Sequence, residues 1–364
     1  ANFSSSPGVS LNELDNSFIS PLPVKVGAAV VGPTVKGPVE IPVVVTSYSD
    51  YKNRFGGSLI SGSDTYSYLT SITAYNYFNN GGDTLLVTRV VNGTYTAATS
   101  STVSNYLDAS SASFALETIS EGVIMNSDST LNSDGSLPDG TSDNVRWEIT
   151  NSNTGSGTFN VLIRLGNDRT SKKVVVESFT NVNLDPNSPR YIANVIGDQV
   201  VSYNSIEKQI DIISGSFSNN SRYVRVKDIT PTPNYLDNSG VAVTAYTASV
   251  PQNGSGSFGG ATGDVAGGAN FYETIDNTNT QGLASTDYSN AVNLLANSND
   301  YQFNTLLTPG LINSAATHAG VISSVITNTQ LRGDSIYVVD MVTGRGYVFK
   351  IQKLVRMYGY LPLQ

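Results

Sequence analysis

The sequence of residues 24–57, "VKVGAAVVGPTVKGPVEIPVVVTSYSDYKNRFGG", has the strand and helix signals on which the fold assignment depends. Val24–Val31 and Ile41–Thr46 are runs rich in β-branched residues, and Gly-Pro pairs lie between them. This pattern predicts two strands joined by turns. Asp50–Phe55 can then form a short helix that Gly56 ends. A strand, a second strand and a helix in this order indicate the start of an α/β domain.

A helix and a buried strand are predicted next. Asp64–Asn79 has apolar residues at the helical period, and Gly81 and Gly82 supply a C-terminal stop. The expected apolar positions are Tyr68, Leu69, Ile72 and Tyr75. The strand "TLLVTRVV", Thr84–Val91, is apolar on both faces, as in a sheet that is covered on both sides. Arg89 lies inside this strand, so we expect it to pair with a carboxylate as a structural lock.

The character of the sequence changes after Asn92. Between about residues 99 and 271, short alternating runs lie among Ser, Asn, Gly and Asp clusters, which predicts a mainly β segment. The expected strands are Val145–Thr150, Phe159–Leu165, Lys172–Phe179, Tyr223–Ile229 and Val241–Val250. The Gly-rich residues 253–270 are expected to form a flexible closing loop.

Alternation of helix and strand then resumes. Helices are predicted for Thr286–Ser298 and Ile312–Gln330, and strands for Phe303–Thr308 and Ser335–Met341. Since strands that alternate with helices at this spacing are joined by crossovers, we expect them to be parallel.

The expected fold class is α/β within a chain that is α+β overall. A discontinuous α/β domain, residues 24–98 and 272–350, is interrupted by a mainly β insertion domain, residues 99–271. An extended N-terminal arm, residues 1–23, precedes it. Residues 351–364 are expected to be a terminal strand or the start of a further C-terminal region.

Composition argues against most site chemistry. The 364 residues include no Cys and one His, which excludes thiolate nucleophiles and His-pair metal sites. The net charge is −9 and there is no Lys/Arg run, so a nucleic-acid surface is not expected. No stretch approaches the roughly 20 apolar residues of a membrane span, and no signal peptide is recognisable at residues 1–23. We expect a soluble protein made in a cytoplasm.

Sequence motifs for catalysis or cofactors are weak. "GSGSFG", Gly254–Gly259, matches a dinucleotide fingerprint but is not followed by a helix-forming sequence. Pro309 and Gly310 are expected to form a turn where a strand gives way to a helix, and Asp340 to end the next strand. His318 is expected to be a packed, hydrogen-bonded residue. We therefore predict no catalytic, cofactor-binding or metal-binding residues, and no enzyme.

The order of features resembles the contractile tail sheath proteins of bacteriophages and related injection machines. The resemblance is carried by Ser6–Leu14, Val26–Gly56, Tyr68–Val91, Asp287–Leu311 and Arg332–Met341. Within these stretches the matching residues are Ser6, Pro7, Gly8, Val9, Glu13, Gly32, Pro33, Phe55, Gly56, Phe78, Asn80, Gly81, Gly82, Arg89, Pro309 and Gly310.

The resemblance implies a structural subunit that polymerises as a helical cylinder around a tail tube. Contraction by rigid-body rearrangement would then drive the tube into the host envelope. The implied partners are neighbouring sheath subunits, the tail tube protein, and the baseplate and tail terminator proteins, with no nucleic acid, membrane insertion or cofactor. The implied location is the virion tail, assembled in the host cell cytoplasm. The insertion would face outward, and a C-terminal domain of the family usually contacts the tube.

The arm also has a role by resemblance, because the N-terminal segment of sheath proteins adds a strand to a neighbour's sheet. Physical chemistry agrees with this role, since a foreign sheet edge satisfies the amides and carbonyls of an extended segment. Prolines in the arm disfavour a helix. The expected inter-subunit residues are Pro7, Gly8, Val9, Leu11, Glu13, Phe18 and Leu22.

Three other functions remain open from the sequence. A bacterial contractile injection system could use the same kind of sheath subunit. A tail adhesin or receptor-binding protein would explain the β segment but not the α/β segments around it. An α/β enzyme would explain those segments, but the sequence offers no catalytic set.

Overall fold

The structure is a computed structural model that describes residues 26–61, 64–100, 103–104, 112–264, 271–342 and 349–353. The predicted arm, with Pro7, Gly8, Val9, Leu11, Glu13, Phe18 and Leu22, lies outside the described residues. The predicted terminal region lies inside them only at residues 351–353.

The elements before the predicted insertion alternate between strands and helices. They are β1 (Val26–Gly32), β2 (Val43–Val45), α1 (Tyr48–Phe55), β3 (Leu59–Ser61), β4 (Asp64–Tyr66), α2 (Leu69–Asn79) and β5 (Leu85–Arg89).

Strands dominate the middle of the chain. They are β6 (Ala97–Ser100), β7 (Val103–Ser104), β8 (Ala112–Glu121), β9 (Val145–Asn153), β10 (Thr158–Leu165), β11 (Val175–Val182), β12 (Val200–Asn204), β13 (Gln209–Ser214), β14 (Val224–Lys227), β15 (Gly254–Gly256) and β16 (Phe258–Gly259). The short helices α3 (Ile192–Ile196) and α4 (Thr244–Thr247) and a 3₁₀ turn at Val123–Met125 lie among them.

Helix and strand alternate again toward the end. A 3₁₀ turn at Ser285–Tyr288 leads into the following elements: α5 (Ser289–Leu294), β17 (Phe303–Ile312), α6 (Ala319–Arg332), β18 (Ile336–Val342) and β19 (Phe349–Lys353).

The main sheet takes strands from both segments that flank the middle of the chain. Its order is β19-β18-β17-β1-β5-β2. β1 is parallel to both β5 and β17, and β17 is parallel to β18, so the predicted parallel pairing is confirmed. The outer strands β2 and β19 are antiparallel to their neighbours. The domain boundaries stay predictions.

Helices cover both faces of the main sheet. On one face, α1 and α2 pack Phe55 and Ala74 against Val30 and Val87. On the other face, side chains of α5 and α6 pack against β1, β17 and β18. These are Ala291, Val292, Val321, Ile322 and Val325, which contact Val31, Leu306, Tyr337 and Val339. Every residue of β5 is buried, which explains why its sequence is apolar on both faces.

The middle of the chain has a hydrophobic core of its own. A four-stranded sheet has the order β11-β10-β9-β15, and a second sheet contains β14, β8, β6 and β16, with β7 paired to β8. Phe114, Trp147, Phe159, Val224 and Phe258 lie in the core of this region. β12 and β13 form a separate two-stranded sheet, which we call the ribbon.

Helix ends fall where the glycines predict them. Gly56 ends α1 with a φ of +76°, and Gly333 ends α6 in the left-handed conformation. Gly81 follows α2 at a φ of +88°, and the Gly82 N–H donates to the Tyr77 carbonyl. Left-handed backbone of this kind favours glycine.

The predicted start of α2 is wrong, and so are the residues predicted for the helix face that is buried. Asp64–Tyr66 forms β4, antiparallel to β3, and the helix begins only at Leu69. Ile72 and Tyr75 are exposed by 43% and 49%, while the buried residues are Thr70, Ser71 and Ala74. Small side chains face the sheet because the helix lies close to β1. A Cβ on Gly32 would lie 2.4 Å from the Thr70 hydroxyl.

The predicted strand end and turn at Pro309 and Gly310 are also wrong. β17 continues through both residues to Ile312, and α6 begins at Ala319 rather than at Ile312. Gly310 adopts a φ of +99°, which lets the strand change direction without ending. The helix predicted for Thr286–Ser298 is shorter, because its first turn is 3₁₀ and α5 ends at Leu294.

Two predictions near the end of the insertion are wrong. Thr244–Thr247, within a predicted strand, is the helix α4. The supposed flexible loop begins with two strands, because Gly254–Gly256 pairs with β9 and Phe258–Gly259 pairs with β6. The buried ring of Phe258 anchors this segment in the core. The dinucleotide-like motif is therefore sheet, whereas the prediction made it part of the flexible loop.

Candidate assembly site

The sequence motif residues separate into three places. Gly32 pairs with Arg89 where β1 and β5 end, and the Phe55 carbonyl accepts from the Lys36 N–H nearby. Gly81 and Gly82 lie between α2 and the start of β5, at the opposite end of that strand. Pro309 and Gly310 lie in the last part of β17. The first place joins the main sheet to the insertion, so we call it the junction.

Arg89 holds the junction together through backbone groups. Its side chain is fully buried, and Nη1 donates to the Gly37 carbonyl at 2.7 Å and to the Glu121 carbonyl at 2.8 Å. The guanidinium also lies 5.2 Å from the ring centre of Tyr95. The expected carboxylate partner is wrong, because the hydrogen-bond partners of Arg89 are carbonyl oxygens, and its role as a lock stays a prediction. A flat, forked cation can bridge two carbonyls that belong to different segments.

Further contacts cross the junction beside Arg89. The Glu121 carboxylate accepts from the Val39 N–H at 2.9 Å, and Ser120 Oγ accepts from the Gly37 N–H at 2.6 Å. Lys36 is buried, and its ammonium donates to the Asp143 carbonyl at 2.9 Å. The loop after β1 is therefore tied to the insertion at several points.

The charges in the junction are partly desolvated. Burial lowers the pKa of Lys36, opposed by the nearby Asp143 carboxylate, and burial raises the pKa of Asp143, opposed by Lys36. Burial also raises the pKa of Glu121, opposed by the Val39 amide and by Arg89. Desolvated pairs of this kind depend on their partners, so breaking one of them is costly.

A buried ion cluster lies in the middle region of the chain. Arg164 donates from Nε and Nη2 to both carboxylate oxygens of Asp168, at 2.7 Å and 2.8 Å. Arg146 also lies 3.5 Å from Asp168 and donates to the Gly135 carbonyl. Glu148 accepts from Arg164. One carboxylate thus holds two buried guanidinium groups.

The Pro309–Gly310 corner is fixed by side chains from the segment before α5. Gln281 Nε2 donates to the Pro309 carbonyl, and Thr280 Oγ1 donates to the Gly310 carbonyl at 2.8 Å. The Asp340 carboxylate accepts from the Gly310 N–H, and burial raises the pKa of Asp340. These contacts satisfy backbone groups, which is a structural arrangement rather than a catalytic one.

His318 is buried and hydrogen-bonded, as predicted, but it precedes α6 instead of lying within it. Its Nδ1 accepts from the Ile312 N–H at 3.0 Å. Burial lowers the pKa of His318, which favours the neutral ring that this acceptor role requires.

The ribbon has a very different environment. Every residue of β12 and β13 is half-buried or exposed. Ile206, in the turn between the two strands, is exposed by 90%, and Ile213 by 64%. The ribbon pairs with no other described strand. Two isolated strands are marginally stable in water, and the ribbon, like the β3–β4 hairpin, has no third strand among the described residues.

A groove separates the ribbon from the rest of the molecule. One cleft of about 740 Å³ has Val201, Ser202, Tyr203 and Ile212 on the ribbon side. The same cleft is also lined by Pro38, Val39, Glu40, Ile41, Val43, Arg54, Arg222 and Arg225. A second cleft of about 670 Å³ shares Tyr95, Glu121 and Arg225 with the first and reaches Val200 and Ser214 at the base of the ribbon.

Sequence reasoning missed the ribbon and its groove. The signal was present, because Val201, Tyr203, Ile210 and Ile212 alternate with polar residues on either side of a short turn. That pattern is typical of a hairpin. The groove had no comparable signal, since residues near 40, 121 and 201 line it together.

Two searches of the described residues are negative. In the described ranges, no group of His, Cys, Asp and Glu is arranged to hold a metal ion. None of the helices within those ranges has the length and apolar character needed to cross a membrane.

Known structures share features with this chain. A sheath tail protein from Listeria innocua is 13% identical, with 90% of this chain and 53% of that chain covered and a TM-score of 0.42. A sheath tail protein from Desulfitobacterium hafniense is 12% identical, with coverages of 92% and 52% and a TM-score of 0.35. The chain therefore spans about half the length of these structures.

The sequence itself was also compared with family models and with curated proteins, and neither comparison finds a match. At the identities and TM-scores of the two sheath proteins, no residue role passes from either of them to this chain.

Proposed function

We propose that this chain is a structural subunit of a contractile tail sheath. The observation that carries the proposal is the pairing of the two stretches that hold the sheath-like motifs. Residues 26–91 and 287–341 are about two hundred residues apart in the sequence, yet β1 pairs in parallel with β17 from Val26 and Phe303 onward. The two stretches thus contribute strands to one sheet, as the parts of a single structural unit would.

The proposed mechanism needs a subunit that moves as a rigid body. Helices on both faces of the main sheet, the bonds of Arg89 across the junction and the ion cluster at Asp168 support this requirement. Packed cores of this kind switch between arrangements as units rather than deform gradually. The energy for contraction is stored in an extended, metastable lattice of subunits, so the mechanism requires no nucleotide site.

The subunits are joined by their arms. Residues 1–23 leave their own subunit and pair with the backbone of a neighbour, with Val9, Leu11, Phe18 and Leu22 filling apolar contacts. Head-to-tail contacts that do not close into a ring produce helical filaments, and the proposed sheath cylinder is an assembly of this kind. The other proposed partners are the tail tube, baseplate and tail terminator proteins. The location is the virion tail, with assembly in the host cell cytoplasm.

Electron microscopy of the purified protein tests this function. We expect negatively stained samples to contain rings or tubes of constant diameter with a central channel, in amounts that rise with protein concentration. The matched sample is the same protein in a denaturant concentration that dissociates the tubes but keeps the circular dichroism spectrum. A protein that stays a discrete monomer at every concentration would contradict the proposal.

A further inference from the structure

Asparagine followed by glycine is a pair at which a protein chain can modify itself. Glycine has no side chain to shield its amide nitrogen, and its backbone turns freely toward the preceding side chain. The reaction also requires that nitrogen and the asparagine side chain to be free of other contacts, so the fold decides which pair reacts. The sequence contains three such pairs, Asn80-Gly81, Asn92-Gly93 and Asn253-Gly254.

The pair at the end of α2 is held by hydrogen bonds. The Asn80 side-chain amide donates to the Asn76 carbonyl at 2.7 Å, and the Gly81 N–H donates to the Phe78 carbonyl at 3.1 Å. Both reacting groups are therefore occupied. The last turn of the helix must open before they can meet, and this opening costs free energy.

The pair before β15 is held in a sheet. Asn253 Oδ1 accepts from the Ser152 N–H at 3.0 Å. Gly254 lies in β15, opposite Ile149 of β9 in the antiparallel pairing. The Gly254 nitrogen can approach the Asn253 side chain only if this end of β15 leaves the sheet, so the folded protein protects the pair.

Asn92 and Gly93 lack both restraints. They are exposed, in the loop between β5 and β6. Within the described ranges, no group accepts a hydrogen bond from the Gly93 N–H. Gly93 has a φ of +86°, and a Cβ placed on it would meet no atom within 4 Å. The nucleophile of this pair is thus unoccupied and has space around it.

The Asn92 side chain has one exposed contact, which links two parts of the main sheet domain. Its Nδ2 donates to Asp287 Oδ2 at 3.0 Å. The same carboxylate oxygen accepts from the Ala284 N–H at 2.9 Å, at the start of the 3₁₀ turn before α5. The contact therefore joins the loop after β5 to the segment before α5. A single exposed hydrogen bond opens readily, so it does not protect Asn92.

We propose that Asn92 is the residue at which the folded protein deamidates. The Gly93 nitrogen attacks the side-chain carbonyl carbon of Asn92. The new C–N bond closes a cyclic imide, and the side-chain nitrogen leaves as ammonia with the proton of the Gly93 amide. Water then opens the ring at either of its carbonyls, which leaves aspartate or isoaspartate at residue 92.

The product changes the contact with Asp287. Asparagine donates through its side-chain amide, whereas an ionised aspartate can only accept, so the hydrogen bond to Asp287 is lost. Two carboxylates then face each other, and like charges at this distance repel. The reaction thus releases the loop after β5 from the segment before α5. This inference is independent of the proposed sheath function.

Timed peptide mapping tests the site. The full chain is kept in warm, mildly alkaline buffer and digested, and mass spectrometry quantifies the aspartate and isoaspartate forms of each peptide. We expect Asn92 to react at least about tenfold faster than Asn80 or Asn253, because a modest opening free energy at the other two pairs slows them by this factor. In denaturant the three pairs lose their contacts and should react at similar rates.

Three results would overturn the assignment. They are a folded protein that reacts at none of the pairs, one that reacts as fast at Asn80 or Asn253, and a preference for Asn92 that is equally large in denaturant. The control variant is Asn92→Gln, which keeps the side-chain amide but must close a larger ring that forms more slowly. Residue 92 should then stay unmodified, while the rates at Asn80 and Asn253 stay unchanged.

Hydrogen exchange tests the consequence. Asn92→Asp should speed amide exchange at residues 284–288 relative to the parent, because the bond to Asp287 is lost. Adding Asp287→Asn restores one donor and one acceptor with their positions exchanged, so the double variant should return toward the parent. Equal exchange in the parent and both variants would contradict the release of this segment.

Discussion

The body of the molecule and the ribbon are stabilised in opposite ways. Strands of the main sheet are covered by helices on both faces, and β5 is buried at every residue. The ribbon has no buried residue, and its tip leaves Ile206 exposed by 90%. The main sheet is thus buried by helices of the same chain, whereas the ribbon is left exposed among the described residues.

The difference indicates which substitutions should change the stability of the protein and which should not. Substitutions at buried charges or close helix–sheet contacts should unfold the body, because each leaves an unpaired group or a steric clash. Substitutions in the ribbon should leave the fold and its stability nearly unchanged. The predictions below test this separation, beginning with the largest effect.

The largest effect is expected from the ion cluster of the insertion. Asp168→Asn removes the charge that holds Arg146 and Arg164, both buried, and should lower the free energy of unfolding by roughly 3–5 kcal/mol. Denaturant titration followed by Trp147 fluorescence measures it. The matched control is Asp134→Asn, whose partner Arg169 is exposed by 64%, and this variant should be indistinguishable from the parent. Equal losses in both variants would contradict the role given to Asp168.

The junction should give the next largest effect. Arg89→Met leaves the Gly37 and Glu121 carbonyls without their donor and should lower the free energy of unfolding by about 2–4 kcal/mol. Arg222→Met, at a side chain exposed by 58%, is the control and should have a much smaller effect. Thermal unfolding followed by circular dichroism compares the two. A junction that tolerates Met at residue 89 would mean that the main sheet and the insertion are not locked by this arginine.

A close helix–sheet contact should give a smaller loss. Gly32→Ala places a Cβ 2.4 Å from the Thr70 hydroxyl and should destabilise the protein by roughly 1–3 kcal/mol, because α2 must move away from β1. Gly320→Ala in α6 meets no atom within 4 Å and should be neutral or slightly stabilising. The midpoints of denaturant unfolding report both changes. Similar midpoints for the two variants would contradict the close packing of α2.

The ribbon should show the smallest effect on stability. Ile206→Ser removes an exposed apolar side chain and should change the free energy of unfolding by less than about 0.5 kcal/mol. A double variant with Ile213→Ser should behave in the same way, since that residue is exposed by 64%. Differential scanning calorimetry measures both. A loss comparable with that of Gly32→Ala would show that the ribbon packs on the body after all.

The sequence predicts the body of the fold well. Residues such as Val30, Leu86 and Val339 are apolar because the strands are covered on both faces, and that pattern can be read without coordinates. Helix ends at Gly56 and Gly333 follow from the left-handed backbone that glycine tolerates. The continuation of β17 through Gly310 could not be predicted. The backbone there is hydrogen-bonded to the side chains of Gln281 and Asp340, which are distant in the sequence.

The candidate assembly site was much less predictable. Thr70 faces the sheet instead of Ile72 because β1 carries a glycine opposite it, a pairing that periodicity alone does not reveal. Arg89 bonds to carbonyls because the chain brings Gly37 and Glu121 together at the end of β5. The groove arises only when segments near residues 40, 121 and 201 meet. Tertiary contacts of this kind leave no local pattern.

The most direct test of the account removes the arm. A protein that lacks residues 1–20 should unfold at the same temperature as the full chain, because the proposed place of the arm is on a neighbouring copy. Analytical ultracentrifugation should show a monomer, and electron microscopy should show no tubes under conditions in which the full chain forms them. Normal tubes from the shortened protein would contradict the claim that the arms join the subunits.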